Sequence, residues 1–216
     1  LGVLIYVVLD GFDLGIGILF PFISDRQERD VMMNTVAPVW DGNETWMVLG
    51  GAGLFAAFPL VYSTVLSALY MPIILMVIAL IFRGVAFEFR FKANKTKHLW
   101  DQAFIWGSIL SSFLQGVILG AYIQGIETTN GIYTGGGLDW LTPFSLFTGI
   151  SVVVLYATLG CGWLIFKTEK MLQNRMFELM PKLLISLLMI FVCVSIYTPL
   201  AHPQIAERWF SQPQLF

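Results

Sequence analysis

Residues 1–22, LGVLIYVVLDGFDLGIGILFPF, decide how this chain folds. They carry only two charges, Asp10 and Asp13, in a run long enough to cross a bilayer, which takes about 20 mostly apolar residues. The two acids stand three apart and so share one face of a helix. Around them lie Gly11, Gly15 and Gly17, small residues that let a neighbouring helix approach closely. An apolar helix with acids in its middle asks for a membrane, and for neighbours that satisfy those acids.

The rest of the 216 residues agrees. The chain is 57% apolar and 15% aromatic but only 12% charged, with a mean hydropathy of +0.76. Soluble domains carry about 25% charged residues, so there is too little charge here to cover a water-facing surface. Twelve Lys and Arg against fourteen Asp and Glu give a net charge of −2. No basic stripe suggests nucleic acid as a partner. Cys161 and Cys193 lie inside apolar runs, at a spacing that fits neither a CxxC metal site nor a haem attachment. They read as buried free thiols. The chain opens at Leu1 already inside an apolar run, which reads as a fragment or processed product with no signal peptide to set aside.

Six spans are expected: 1–22, 43–58, 59–91, 99–125, 143–166 and 177–198. The second is short and glycine-rich; the third is too long for one crossing and should tilt or kink near Pro72. Pro143 suits the first turn of the fifth. Basic residues sort by loop. Arg26 and Arg29 follow the first span, Arg90, Lys92, Lys95 and Lys97 the third, and Lys167, Lys170, Arg175 and Lys182 the fifth. The alternate loops, near Pro59 and from Ile126 to Thr142, have none. The positive-inside rule therefore puts the basic loops in the cytoplasm and the N-terminal end outside. Trp140, Trp100 and Trp106 suit interfacial belts, and NGIYTGGG (130–137) reads as an exposed turn-rich loop.

Charges at membrane depth are costly and are functional candidates by default. Asp10 and Asp13 repel each other on one helix face, which favours a retained proton and a relay or cofactor-site role over simple helix-to-helix hydrogen bonding. In WDGNETW (40–46), Asp41 and Glu44 have the spacing of a helix capping box. A capping acid and a proton-handling acid are compatible roles, because both stand at the positive end of a helix. Trp40 and Trp46 serve either as interface anchors or as packing for a quinone ring. In IFRGVAFEFR (81–90), Arg90 is expected to snorkel to the interface near Glu88, whereas Arg83 sits about two turns deeper and is placed to pair with a membrane carboxylate. His98, in a basic loop, and His202, before Pro203, are poorly placed as haem ligands, and the methionines read as packing residues.

LDGFDLGIGILFPF (9–22) and APVWDGNETWMVLGGAGLFAAFPLVY (37–62) together resemble subunit II of the cytochrome bd quinol oxidases. IFRGVAFEFR and DQAFIWGSILSSFLQGVILG (101–120) continue the resemblance, which runs to about Thr198. Glu44 and the DGFDLGIGILFPF wording look more like the cyanide-insensitive branch. The resemblance implies an all-α, polytopic membrane fold of eight helices in two four-helix bundles, of which this chain supplies about six. Residues 1–125 would form the first bundle, 126–142 an extracytoplasmic loop, and 143–216 the start of an incomplete second bundle. It further implies a bacterial inner-membrane location and a partner, subunit I, that carries haem b and haem d-type groups and the quinol oxidation site. No haem is then ligated by this chain. A small accessory transmembrane subunit, lipid and a structural quinone are further partners that some relatives suggest. Asp41 would lie on a proton pathway from the cytoplasm toward the haems, with Trp46 beside it. Asp13 matches a second family acid, and Glu88 stands where relatives carry an acid after the arginine. The implied reaction is quinol oxidation coupled to four-electron reduction of oxygen to water.

A proton-coupled secondary transporter is the rival reading, since it too places carboxylates mid-membrane. A purely structural scaffold is the third. The span map is tested by labelling single cysteines introduced at Lys95 and Gly136 with a membrane-impermeant reagent. They are expected on opposite sides, Lys95 inside; both on one side would overturn the map.

Overall fold

The computed structural model describes residues 1–201 and 203–210. His202, set aside above as a haem ligand, lies outside the described residues.

Helix α1 (Gly2–Leu19) runs through the opening stretch and closes in a 3-10 turn at Phe20–Phe22, where Pro21 cannot continue an α-helix. Asp25 then caps α2 (Arg26–Asn34), accepting from the Gln27 and Glu28 amides at 2.8 and 2.9 Å. Helix α3 (Trp40–Ala57) follows, and Pro59 occupies the first position of α4 (Pro59–Arg90). The expected kink in α4 falls at Leu69 (φ −112°, ψ 19°), where the backbone yields just before Pro72, whose ring crowds the carbonyl of Ala68. Helix α5 (Lys97–Gln124) ends at Gly125, whose φ of +96° suits glycine. A two-stranded hairpin comes next, β1 (Thr128–Thr129) and β2 (Ile132–Tyr133), turned by Asn130 and Gly131 with both φ positive. Thr142 and Ser145 form a capping box for α6 (Pro143–Lys167). Helices α7 (Lys170–Ala201) and α8 (Pro203–Phe210) complete the described chain.

The result is an all-α membrane helix bundle. Among the described residues, five helical segments are long and apolar enough to cross a membrane: Gly2–Phe22, Tyr70–Arg90, Lys97–Gln124, Pro143–Lys167 and Lys170–Ala201. The second expected span, now α3, is not one of them, because Asp41, Asn43 and Glu44 cluster near its start and glycine replaces larger apolar residues. It nevertheless runs antiparallel along α1. Asn43 meets Asp13 at one end, and Gly50 lies against Gly2 and Val3 at the other.

The loops gather into two ends. At the basic end, ion pairs tie α2 to its neighbours: Arg29 to Asp101 at 3.2 Å, Lys97 to Asp30 at 3.0 Å, and Arg175 to Glu28 at 2.7 Å. Arg175 and Lys182, read above as loop residues, belong to α7, which begins seven residues before the expected span. At the opposite end the Thr64 hydroxyl donates to the Gly131 carbonyl at 2.8 Å, fastening the hairpin to α4. Cys161 is buried, but Cys193 is exposed on α7, contrary to the sequence reading. An apolar run on an outer helix need not face the bundle.

The main apolar core joins α1, α2, α4, α5, α6 and α7, through Leu14, Met32, Leu80, Phe87, Phe104, Tyr156, Leu164 and Met176. Its tightest crossing is α1 on α6. A Cβ at Gly15 would run into the Tyr156 carbonyl, and one at Gly160 into the Gly15 backbone. No side chain can yield there, since backbone meets backbone. Overpacking a site of this kind costs about 1–3 kcal/mol or more. Gly15→Val should therefore lower the yield of detergent-stable protein sharply, measured by fluorescence-detected size exclusion. Gly53→Ala, where a Cβ meets nothing within 4 Å, should leave the yield unchanged.

Candidate functional site

Arg83 occupies the centre of the bundle with none of its side chain exposed. It stands seven residues before the end of α4, which at 1.5 Å per residue is about 10 Å inside the basic end. Gly107 on α5 makes room for it. A Cβ there would lie 2.9 Å from the Arg83 amide nitrogen and 2.7 Å from the Ala79 carbonyl. A guanidinium buried this way must be paired, and three carboxylates do so. Nη2 lies 2.8 Å from Asp10 Oδ1 and 4.0 Å from Asp13 Oδ2, and Nη1 donates to Glu44 Oε2 at 3.3 Å. The contact with Asp10 is one of charge at close range, without hydrogen-bond alignment.

Both α1 acids are wholly buried, while Glu44 is 23% exposed. Asn43 reaches across from α3 and donates to Asp13 Oδ2 at 2.8 Å. Asp10 Oδ2, Asp13 Oδ1 and Arg83 Nε have no hydrogen-bond partner among the described residues. Phe87 lies beneath Arg83, its ring centre 5.9 Å from the guanidinium carbon, and Trp40 stacks on Phe87 at 4.7 Å. Trp40 can do so because residue 84 is glycine; a Cβ there would touch its ring at 3.3 Å.

The structure thus brings together Asp10, Asp13, Glu44 and Arg83, with Trp40 one ring away. Asp41 and Glu88 stand outside the cluster. Helix α3 begins at Trp40 with Val39 before it, so Asp41 lies in the first helical turn and there is no capping box. Glu44 turns to Arg83 instead, because a buried cation binds an acid more strongly than an amide does. Asp41 is exposed, and its charge suits the positive end of α3. Glu88 is exposed and pairs with Lys92 at 3.4 Å, one turn along α4. Trp46 is half-buried on α3.

Arg90 corrects the sequence reading more sharply. It does not snorkel. It is fully buried, bonded through Nε to Asp101 and through Nη1 to Asp30 at 2.6 Å. Asp30, Asp101 and Arg29 were not singled out from sequence, since each stands in a polar stretch where a solvated charge is the ordinary reading. Asn43, Tyr6, Gln115 and Tyr156 are polar groups at membrane depth of the same kind as the acids. Tyr6 precedes Asp10 by one helical turn, and Gln115 interrupts an apolar run, so the depth rule used for the acids would have found them.

These features define a polytopic membrane protein with a guanidinium–carboxylate cluster at membrane depth. The cluster's carboxylates and guanidinium are not the His, Met, Cys or Tyr that haem iron takes, and His98 is exposed at the basic end. The family model for cytochrome bd terminal oxidase subunit II matches residues 1–213. The chain is 34% identical over 182 residues to cytochrome bd-I ubiquinol oxidase subunit 2 of Escherichia coli strain K12, covering 79% of this chain and 47% of that protein. It is 34% identical over 184 residues to cytochrome bd ubiquinol oxidase subunit 2 of Bacillus subtilis strain 168, covering 83% and 54%. The chain belongs to the cytochrome bd terminal oxidase subunit II family. It spans about half the length of the curated relatives it matches.

Burial tends to raise the Asp30 pKa, but hydrogen bonds from Lys97 and Arg90 outweigh it and hold the carboxyl below the usual aspartate range. A lowered folded value means that the stabilisation is present above the unfolded pKa and is lost as pH falls through the folded one. Amide exchange in α2 should accelerate as the pH drops below that range, relative to the intrinsic rate. Asp30→Asn should bring the same acceleration at neutral pH; hydrogen-exchange mass spectrometry reads both.

Proposed function

We propose that this chain, as part of subunit II, supports the haem-bearing subunit of a bacterial inner-membrane quinol oxidase and carries protons from the cytoplasm toward it. The observation that carries this reading is the sharing of one buried guanidinium, Arg83, by Asp10, Asp13 and Glu44. One cation among three acids leaves two formal negative charges in excess. Excess charge buried in an apolar bundle costs several kcal/mol, so protons neutralise it. Such a cluster is a proton store that gains and loses protons without any large rearrangement.

Asp41, on the same helix three residues before Glu44, serves as the intake from water at the basic end, which we assign to the cytoplasm. Glu44, partly exposed, passes protons inward to Asp13 and Asp10. Glu88, at the rim, supplies a collecting charge. Arg83 keeps the stored charge from becoming too negative to release a proton. Trp40 and Trp46 flank the path, and a quinone ring beside them is part of this proposal. The partner's haems supply the four-electron reduction of oxygen to water, with electrons from quinol. An accessory subunit, and the division into two bundles at residues 126–142, follow from the same family reading.

A proton-coupled transporter shares one feature, the broken helix α4 at Leu69. Family membership favours the oxidase, and co-purification of a haem-bearing partner of comparable size separates the two.

Asp41→Asn in the full-length complex tests the intake. Asn keeps the shape, and its first-turn position needs no cap. Haem content should hold while quinol-dependent oxygen consumption falls about tenfold or more, the scale of a lost proton-transfer group. Activity within twofold of the native complex removes Asp41 from the path. Equal loss of haem and activity would make it structural.

A further inference from the structure

Beyond Arg83, on the side away from the basic end, a second buried polar line starts at α6. Tyr156 donates from its hydroxyl to Gln115 Oε1 at 2.7 Å, and Gln115 Nε2 donates to the Tyr6 hydroxyl at 2.8 Å. Tyr6 and Tyr156 are buried, and three helices, α6, α5 and α1, each give one residue. Gly11 makes the arrangement fit, since a Cβ there would lie 2.9 Å from the Tyr156 ring. None of these polar groups is needed for packing; phenylalanine and leucine would fill the same space.

The line has a direction. Tyr6 accepts from Gln115, so its own hydroxyl hydrogen is unspent. Asp10 lies four residues on, one helical turn along the same face of α1. Asp10 Oδ2 has no hydrogen-bond partner among the described residues. Turning the Gln115 amide over would spend the Tyr6 hydrogen on Gln115 and leave that of Tyr156 without an acceptor. The orientation Tyr156 to Gln115 to Tyr6 to Asp10 gives both tyrosine hydroxyl hydrogens an acceptor.

We propose that Tyr156, Gln115 and Tyr6 form a directed hydrogen-bond chain that orients Asp10 toward Arg83, making Tyr6 and Gln115 positioning residues of the proton store. This rests on the relay reading of Asp10 above. Asp10 Oδ1 lies 2.8 Å from Arg83 Nη2, and Oδ2 has no partner among the described residues, open to the unspent Tyr6 hydrogen one helical turn away. Accepting that hydrogen would hold the acid in one rotamer between a cation and a donor.

The test uses four variants of the full-length protein in its complex: Asp10→Asn, Tyr6→Phe, Gln115→Leu and Tyr156→Phe. Haem content, quinol-dependent oxygen consumption and the infrared carboxyl stretching region are measured on each. Asp10→Asn should remove one carboxyl band and so identify it. Tyr6→Phe should displace that band and lower turnover about three- to tenfold, the scale of one lost hydrogen bond. Gln115→Leu should do the same, and Tyr156→Phe should act more weakly. A merely structural role would lower assembly without displacing the band. If Asp10→Asn is impaired but the band keeps its position in both Tyr6→Phe and Gln115→Leu, the positioning role is wrong and the relay reading stands. If Asp10→Asn turns over normally, Asp10 is not in the path, while the band still decides whether Tyr6 orients it. Should Tyr6→Phe fail to assemble, Gln115→Leu and Tyr156→Phe decide by the same criterion.

Discussion

A guanidinium with no exposed atom has to bring its counter-charges with it, and the centre of this molecule is arranged around that requirement. Arg83 on α4 holds acids from α1 and α3. Removing Arg83 would leave three buried or half-buried acids without their cation, and breaking a buried pair in this way costs about 3–5 kcal/mol. Helix α3 is short and poor in large apolar side chains, and besides the Trp40 stack on Phe87 and the Gly50 contact with α1 it is held by polar groups. Its seat along α1 depends on Glu44 reaching Arg83 and on Asn43 reaching Asp13. The glycines follow from the same constraint. Gly107 admits the Arg83 backbone and Gly84 admits Trp40, so the cation is enclosed by helix and aromatic surface with no room for bulk water.

A second buried arginine closes the basic end. Arg90 joins α4 to Asp30 on α2 and Asp101 on α5, with the Phe20 ring 5.3 Å from its guanidinium carbon. Two turns of α4 therefore separate two cations with different settings. Asp30, at 34% exposure, lets the outer one communicate with water, whereas Arg83 meets solvent only through Glu44. The outer ion pairs fasten α2 to α4 and α5 at the basic end.

Much of this was legible in the sequence. The apolar runs located α1, α3, α4, α5 and α6 to within about three residues and α7 to within seven, Pro72 marked the kinked region of α4, and the depth of Arg83 suggested a carboxylate partner. The details that failed share one cause. Asp41 and Glu44 have the spacing of a capping box, and local spacing cannot reveal that a cation on another helix outbids the amide. Arg90 reads as a snorkelling residue because its own segment lies at a helix end; its partners stand 60 residues before it and 11 after it. Cys193 reads as buried because an apolar run looks the same whether it faces protein or lipid. Hydropathy reports the solvent each helix prefers. The pairing between helices is decided by groups too far apart in sequence to form a pattern.

The central claim is that the Arg83 cluster takes up protons from water at the basic end. Its most direct test is the rate of proton uptake when oxygen is admitted to the reduced full-length complex in sealed vesicles with the basic end facing the indicator dye. Asp13→Asn keeps the shape of a wholly buried group and removes one acid from the store. The expected result is normal haem content with uptake slowed about tenfold or more. Uptake as fast as in the native complex, with haem content equally normal, would contradict the account.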